Sequence, residues 1–114
     1  MSDKLIDPQA AVDFMIANSK KYAEAEANKV YMEEMRKTVK AEEMKEAELD
    51  GHKTAAIQER EAYASPRYKR HLLALQEAVR EREELRWMLI AAQARIEVWR
   101  SQEASNRAQD RMTV

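Results

Sequence analysis

The chain has 114 residues, of which 36% are charged and 6% aromatic, with a formal net charge of −1, one glycine, two prolines and no cysteine. This composition suits long helices rich in Ala, Glu, Lys, Arg and Gln, and excludes a sheet protein with its turns and β-branched runs. The lack of cysteine excludes disulfides, thiol nucleophiles and cysteine metal ligands. We therefore predict a single all-α domain spanning residues 1–114.

The first predicted helix covers residues 8 to about 49. Asp7 is suited to cap it, and Pro8 fits the first helical position, where its missing N–H costs nothing. Apolar residues then recur at mixed spacings of three, four and seven, which predicts a ragged core-facing stripe. This stripe consists of Val12, Met15, Ile16, Tyr22, Ala23, Val30, Met35 and Val39.

Gly51 is the best candidate for a break after this helix. It either caps the helix at its C-terminal end or lies within a helix that continues through it, at a cost of about 1 kcal/mol relative to alanine. A short helix is predicted over about residues 53–64, with Ala56, Ile57 and Tyr63 facing inward.

The last predicted helix runs from Pro66 to about residue 111, with Ser65 as its cap. Its apolar positions alternate steps of four and three over four heptads, the pattern of a coiled-coil seam. The seam, called here the packed seam, consists of His71, Leu75, Ala78, Arg82, Leu85, Leu89, Ala92, Ile96 and Trp99.

Arg82 interrupts the packed seam with a charge. A buried charge lowers stability unless it is paired, and a paired one fixes register or oligomeric state. We expect it to pair with Glu33, Glu34 or Glu42 of the first helix.

A second apolar row lies on the other side of the last helix. A helix that is apolar on two faces is buried between partners, and a thin hairpin offers only one antiparallel neighbour. The sequence therefore predicts a long antiparallel helical hairpin, or coiled-coil-like bundle, that self-associates as a dimer or higher oligomer. The second row consists of Trp87, Ile90, Ala91, Ala94 and Val98, and the predicted oligomer interface of Leu75, Leu85, Trp87, Leu89, Ile90, Ile96 and Trp99.

Charge is distributed unevenly between the two halves of the chain. Residues 1–64 carry 10 basic and 14 acidic side chains, whereas residues 65–114 carry 10 basic and 7 acidic ones, and nine of those ten bases are arginine. These cations either pair with the acidic half of the same or another subunit, or contact nucleic-acid phosphates. The candidate partner or phosphate contacts are Tyr63, Arg67, Tyr68, Lys69, Arg70, Arg95 and Arg100.

Carboxylates recur at spacings of three and four, as in helical metal-dependent nucleotide hydrolases. They alternate with lysines and arginines, which is also typical of a solvated helix face. The two histidines, His52 and His71, do not form a ligand set. We predict no catalytic residue, metal or cofactor, and keep a metal-dependent all-α hydrolase as a second alternative. The carboxylate rows are Glu43, Glu46 and Asp50, and Glu77, Glu81 and Glu84.

The first residues, MSDKLIDPQAAVDF, lack a basic segment followed by an apolar run, and the longest apolar run is WMLIAA. Neither a secretion signal nor a membrane span is predicted. We expect a cytoplasmic protein with no membrane contact.

Two stretches, KTAAIQEREAYASPRYKRHLLALQEAV and IEVWRSQEASNRAQDRM, cover roughly residues 53–112. They resemble small helical proteins encoded in the early or recombination regions of tailed phages. The resemblance implies an accessory role beside DNA recombination or replication proteins in the host cytoplasm, with no catalytic residues. Together, the patterns predict a non-enzymatic interaction or scaffold protein, with nucleic-acid binding through the arginine-rich last helix as the alternative.

Overall fold

The computed structural model describes residues 5–112, which fold into three helices: α1 (Pro8–Leu49), α2 (Ala55–Ala64) and α3 (Pro66–Met112). Helices account for 92% of that part of the chain, and no strand occurs in it. The predicted all-α class is confirmed.

Each helix begins at a side-chain cap that satisfies backbone N–H groups of the first turn. Asp7 Oδ1 accepts hydrogen bonds from the N–H groups of Gln9 and Ala10 at 3.0 and 3.2 Å. Thr54 Oγ1 caps α2, and Ser65 Oγ accepts from the N–H of Tyr68 at 3.2 Å to cap α3. These caps explain why the helix starts can be found in the sequence.

Gly51 ends α1 as a C-terminal cap. Its φ is +101°, its N–H donates to the carbonyl of Glu48 at 3.1 Å, and the N–H of His52 donates to the carbonyl of Ala47 at 3.0 Å. This pair of bonds is the Schellman motif, which needs a residue with positive φ. The sequence left open whether the first helix ends at Gly51 or continues through it, and the structure shows that it ends there.

The helices form two compact units. The first, called the turn unit, comprises residues 24–83 and holds α2 between parts of α1 and α3. His71 Nε2 lies 2.7 Å from the carbonyl of Met32, and Arg67 Nη1 donates to Glu42 at 2.7 Å. Residues early in α3 thus meet residues late in α1, so the two helices are antiparallel here.

The second unit, called the end unit, comprises residues 1–23 and 84–114, of which 5–23 and 84–112 are described. Its buried side chains are small, Ala11 on α1 and Ala92 on α3. Larger seam residues are half-buried around them. Beyond Trp99, residues 100–112 are exposed except for the half-buried Glu103.

The packed seam of α3 is confirmed, because all nine of its residues are buried or half-buried. The predicted stripe of α1 is wrong at Val12, Ile16, Ala23 and Val30, which are exposed. The packed face of α1 repeats at steps of four and three, and small or polar residues alternate in it with large apolar ones. It consists of Ala11, Met15, Asn18, Tyr22, Ala25, Lys29, Met32, Met35 and Val39.

The inward face predicted for α2 is also wrong. Ala56, Ile57 and Tyr63 are exposed, whereas Ala62 is completely buried. The packed side of α2 is formed by Ala62 with the half-buried Gln58 and Glu61, and the bulky residues Ile57 and Tyr63 are turned outward.

Replacing Gly51 with alanine should lower the free energy of unfolding by about 1 kcal/mol, because a side chain at positive φ is strained. No atom lies within 4 Å of the position a Cβ would occupy, so the loss comes from the backbone alone. Urea denaturation followed by circular dichroism measures it. Lys53→Ala, an exposed change in the same connection, is the control; equal stabilities of the two variants would contradict the cap.

Candidate interaction surface

An apolar row points away from the packed seam on the α3 segment of the end unit. Trp87 is 59% exposed, Val98 47% and Ile90 40%, and the alanines between them are exposed as well. On a helix of 3.6 residues per turn these residues lie on the side opposite Leu85, Ala92 and Ile96. The row predicted from the sequence is therefore left exposed by the described residues of the end unit. We call it the outward row: Trp87, Ile90, Ala91, Ala94 and Val98.

Charged side chains flank the outward row. The Arg86 guanidinium lies 5.1 Å from the centre of the Trp87 ring, within the range of a cation–π contact. Glu97, next to Val98, accepts a hydrogen bond from Arg100 Nη1 at 3.3 Å. A row of apolar side chains bordered by charges is the usual composition of a helix–helix interface.

A groove of about 650 Å³ lies beside the outward row in the same unit. Its α1 wall includes Phe14, its α3 wall includes Met88 and Ala91, and Asp7 and Arg95 add one charge of each sign. Because Ala91 belongs to both features, the row and the groove form one continuous apolar surface. The complete lining is Leu5, Ile6, Asp7, Ala10, Ala11, Phe14, Met88, Ala91, Ala92 and Arg95.

The residues predicted for the oligomer interface divide into two groups. Trp87 and Ile90 are exposed on the outward row. The other five are half-buried in the packed seam and take part in the fold of the single chain: Leu75, Leu85, Leu89, Ile96 and Trp99. The sequence reasoning missed the groove, although Met88, Ala91 and Arg95 carry a helical i, i+3, i+7 spacing.

Tyr63 and Tyr68, both predicted contacts, meet where α2 joins α3. Their rings lie 5.2 Å apart at 76°, an edge-to-face pair, and the Lys40 ammonium lies 4.8 Å from the Tyr63 ring centre. Lys40 also pairs with Glu59 at 3.5 Å. Its hydrogen bond with Tyr63, together with the charge of Glu59, raises the pKa of Lys40. Tyr68 is buried, so it serves the fold at this junction.

The cations predicted to contact a partner or phosphates differ in their surroundings. Arg67 pairs with Glu42, and this hydrogen bond raises the pKa of Arg67. Arg100 pairs with Glu97, and Arg95 lines the groove. Lys69 and Arg70 are exposed on the first turns of α3. The structure therefore does not gather these cations into one patch within either unit.

Arg82 pairs with Glu26, not with Glu33, Glu34 or Glu42 as predicted from the sequence. Its Nη1 also donates to Glu83 at 2.5 Å, and its side chain is only 18% exposed. The prediction failed because it placed Arg82 too near the turn. In the antiparallel packing marked by the Arg67–Glu42 pair, Arg82 lies fifteen residues further along α3 and so comes level with about residue 27 of α1, next to Glu26.

Three further observations bear on the alternatives. Within residues 5–112, no group of three or more histidine, aspartate or glutamate side chains is arranged to hold a metal ion. No helix in the same part of the chain has both the length and the apolarity to cross a membrane. Comparisons with protein-family models, with curated proteins and with solved structures found no match.

Replacing Arg82 with methionine should lower the free energy of unfolding by about 1–2 kcal/mol, since it removes the cation that binds Glu26 from α3 and leaves that carboxylate only its 3.8 Å contact with Lys29 beside the packed seam. Adding Glu26→Met should recover the loss, because two apolar side chains can replace a partly buried pair. Thermal and urea denaturation measure both variants.

Arg80→Met is the matched control, because Arg80 and Glu77 form a surface pair in which both side chains are more than half exposed. Such pairs contribute little, so the control should leave stability unchanged. An Arg82→Met variant as stable as the control would mean that the Glu26 pair does not support the packing.

Proposed function

We propose that this chain is a non-enzymatic helical scaffold that acts through self-association of its end unit. The observation that carries the proposal is the outward row, a set of apolar side chains on α3 that no other element of the end unit covers. The groove continues this surface onto α1.

The single chain buries few large apolar side chains. Among residues 5–112, the buried apolar side chains are six alanines, Val39 and Tyr68. Transfer of apolar surface from water contributes about 25 cal/mol per Å², and a tryptophan side chain offers about 150–250 Å². Covering the exposed part of Trp87 alone is therefore worth on the order of 2 kcal/mol, a large addition for so thin a core.

The proposal extends to a partner beyond the chain itself. The resemblance of residues 53–112 to small phage proteins predicts an accessory role beside DNA recombination or replication proteins. The exposed tyrosine at the junction of α2 and α3, Tyr63, with Lys69 and Arg70 on the first turns of α3, provides a polar and aromatic surface for such a protein. This part of the proposal stays a prediction.

Replacing Trp87 with glutamate should convert the assembly to a single chain of 13.3 kDa, because a carboxylate cannot be buried in the outward row without a partner. Sedimentation equilibrium should give at least twice this mass for the unaltered protein. Circular dichroism of the variant should show that its helices persist.

Ile16→Glu is the matched control, since Ile16 is 70% exposed on α1 of the same unit but lies outside the outward row and the groove. It should leave the mass unchanged. A single-chain mass for the unaltered protein, at concentrations where the helices are fully formed, would overturn the proposal.

Nucleic-acid binding through α3 is the alternative, and a gel shift across a salt series tests it. We expect no shift of duplex or single-stranded DNA at 50 mM salt, because Arg67 and Arg82 already pair with α1 carboxylates. A shift that weakens steeply as salt rises, and that is lost in a Lys69→Gln/Arg70→Gln variant, would favour the alternative.

A further inference from the structure

Four of the five residues of the outward row are placed symmetrically about one point on α3. Trp87 and Val98 lie at its two ends and two alanines, Ala91 and Ala94, lie between them, whereas Ile90 has no apolar counterpart because the equivalent position holds Arg95. Trp87 and Val98 are equally distant from a point between Ala92 and Gln93, as are Ala91 and Ala94. A row of this kind fits a second copy of itself running in the opposite direction.

We propose that the α3 helices of two copies pack antiparallel through their outward rows, related by a two-fold axis at the level between Ala92 and Gln93. This inference rests on the proposed self-association and specifies its partner and orientation. Trp87 of each copy then faces Val98 of the other, and Ala91 faces Ala94. The alanines at the centre let the helices approach closely, while each end of the contact holds one large and one medium side chain.

The flanking charges fit the same register. Arg86 precedes Trp87, and Glu97 precedes Val98, on the same flank of the outward row. In antiparallel packing equivalent flanks of the two helices meet, so Arg86 of one copy lies within about one helical turn of Glu97 of the other. The two-fold axis makes this contact twice. The position of the Arg86 guanidinium on the Trp87 ring already holds the cation at the edge of the row.

A parallel arrangement fits less well. It places Trp87 of one copy against Trp87 of the other at one end only, which holds the helices apart where Ala91 and Ala94 need a close approach. The aligned helix dipoles also repel in that orientation, whereas antiparallel dipoles attract.

The groove supports the second copy as the occupant of the row. Met88 and Ala91 form its α3 wall and continue the outward row without a gap, and Phe14 extends the apolar surface to α1. A helix docked on the row therefore covers the adjoining side of the groove as well.

Pulsed electron paramagnetic resonance distinguishes the two orientations. The chain has no cysteine, so one introduced cysteine carries one spin label. Ala104 is exposed and lies off the outward row, so a label can be attached there through Ala104→Cys. At a rise of 1.5 Å per residue, the antiparallel arrangement separates the two labels of the dimer by about 35–40 Å. A parallel arrangement brings them within about 20 Å, given interaxial distances of about 8–10 Å.

Gln93→Cys is the matched control, because it lies near the proposed axis and should give a distance below about 25 Å in either orientation. A long Ala104 distance with a short Gln93 distance supports the inference. Short distances at both positions would overturn the antiparallel register while leaving self-association intact, and a Gln93 distance as long as the Ala104 distance would place the contact elsewhere. No dipolar signal at either label would overturn self-association itself.

Discussion

The packing of α1 against the packed seam of α3, within each unit, is the constraint on which the rest of the structure depends. Alanines recur at the buried positions of both helices, among them Ala11, Ala25, Ala78 and Ala92. Alanine lets two helices lie close together, yet each alanine removes little apolar surface from water. Each unit is therefore closely packed but has a small core, and larger apolar side chains on α3 are left outside it.

Polar side chains supply the specificity that alanine lacks. Two helices that pack through alanines can be aligned in several registers at similar free energy, because one alanine fits where another did. The Arg82–Glu26 pair and the contact between His71 and the carbonyl of Met32 each satisfy polar groups in one register only. The two interactions thus select the alignment of the helices more than they strengthen it.

The sequence predicts α3 better than α1 for the same reason. Leu75, Leu85, Leu89 and Ile96 mark the α3 period, whereas α1 packs in part through small and polar residues such as Asn18 and Lys29, which no hydrophobic pattern identifies. The outward row was visible because it lies on one helix. The groove and the ion-pair partner of Arg82 each depend on how α1 and α3 pack together, which the sequence of one helix does not show. The inward face of α2 was predicted wrongly because Ala62 is buried by close contact between helices and not because it is strongly hydrophobic.

The exposure of the final turns of α3 determines where the protein accepts added sequence or labels. From Arg100 to Met112 the side chains are exposed except for the half-buried Glu103, so this stretch is held as a helix chiefly by its own backbone hydrogen bonds. Such a segment frays and re-forms without disturbing the packing that precedes it. Fusions, labels and insertions are therefore best carried at this terminus, where they meet no neighbour they have to displace.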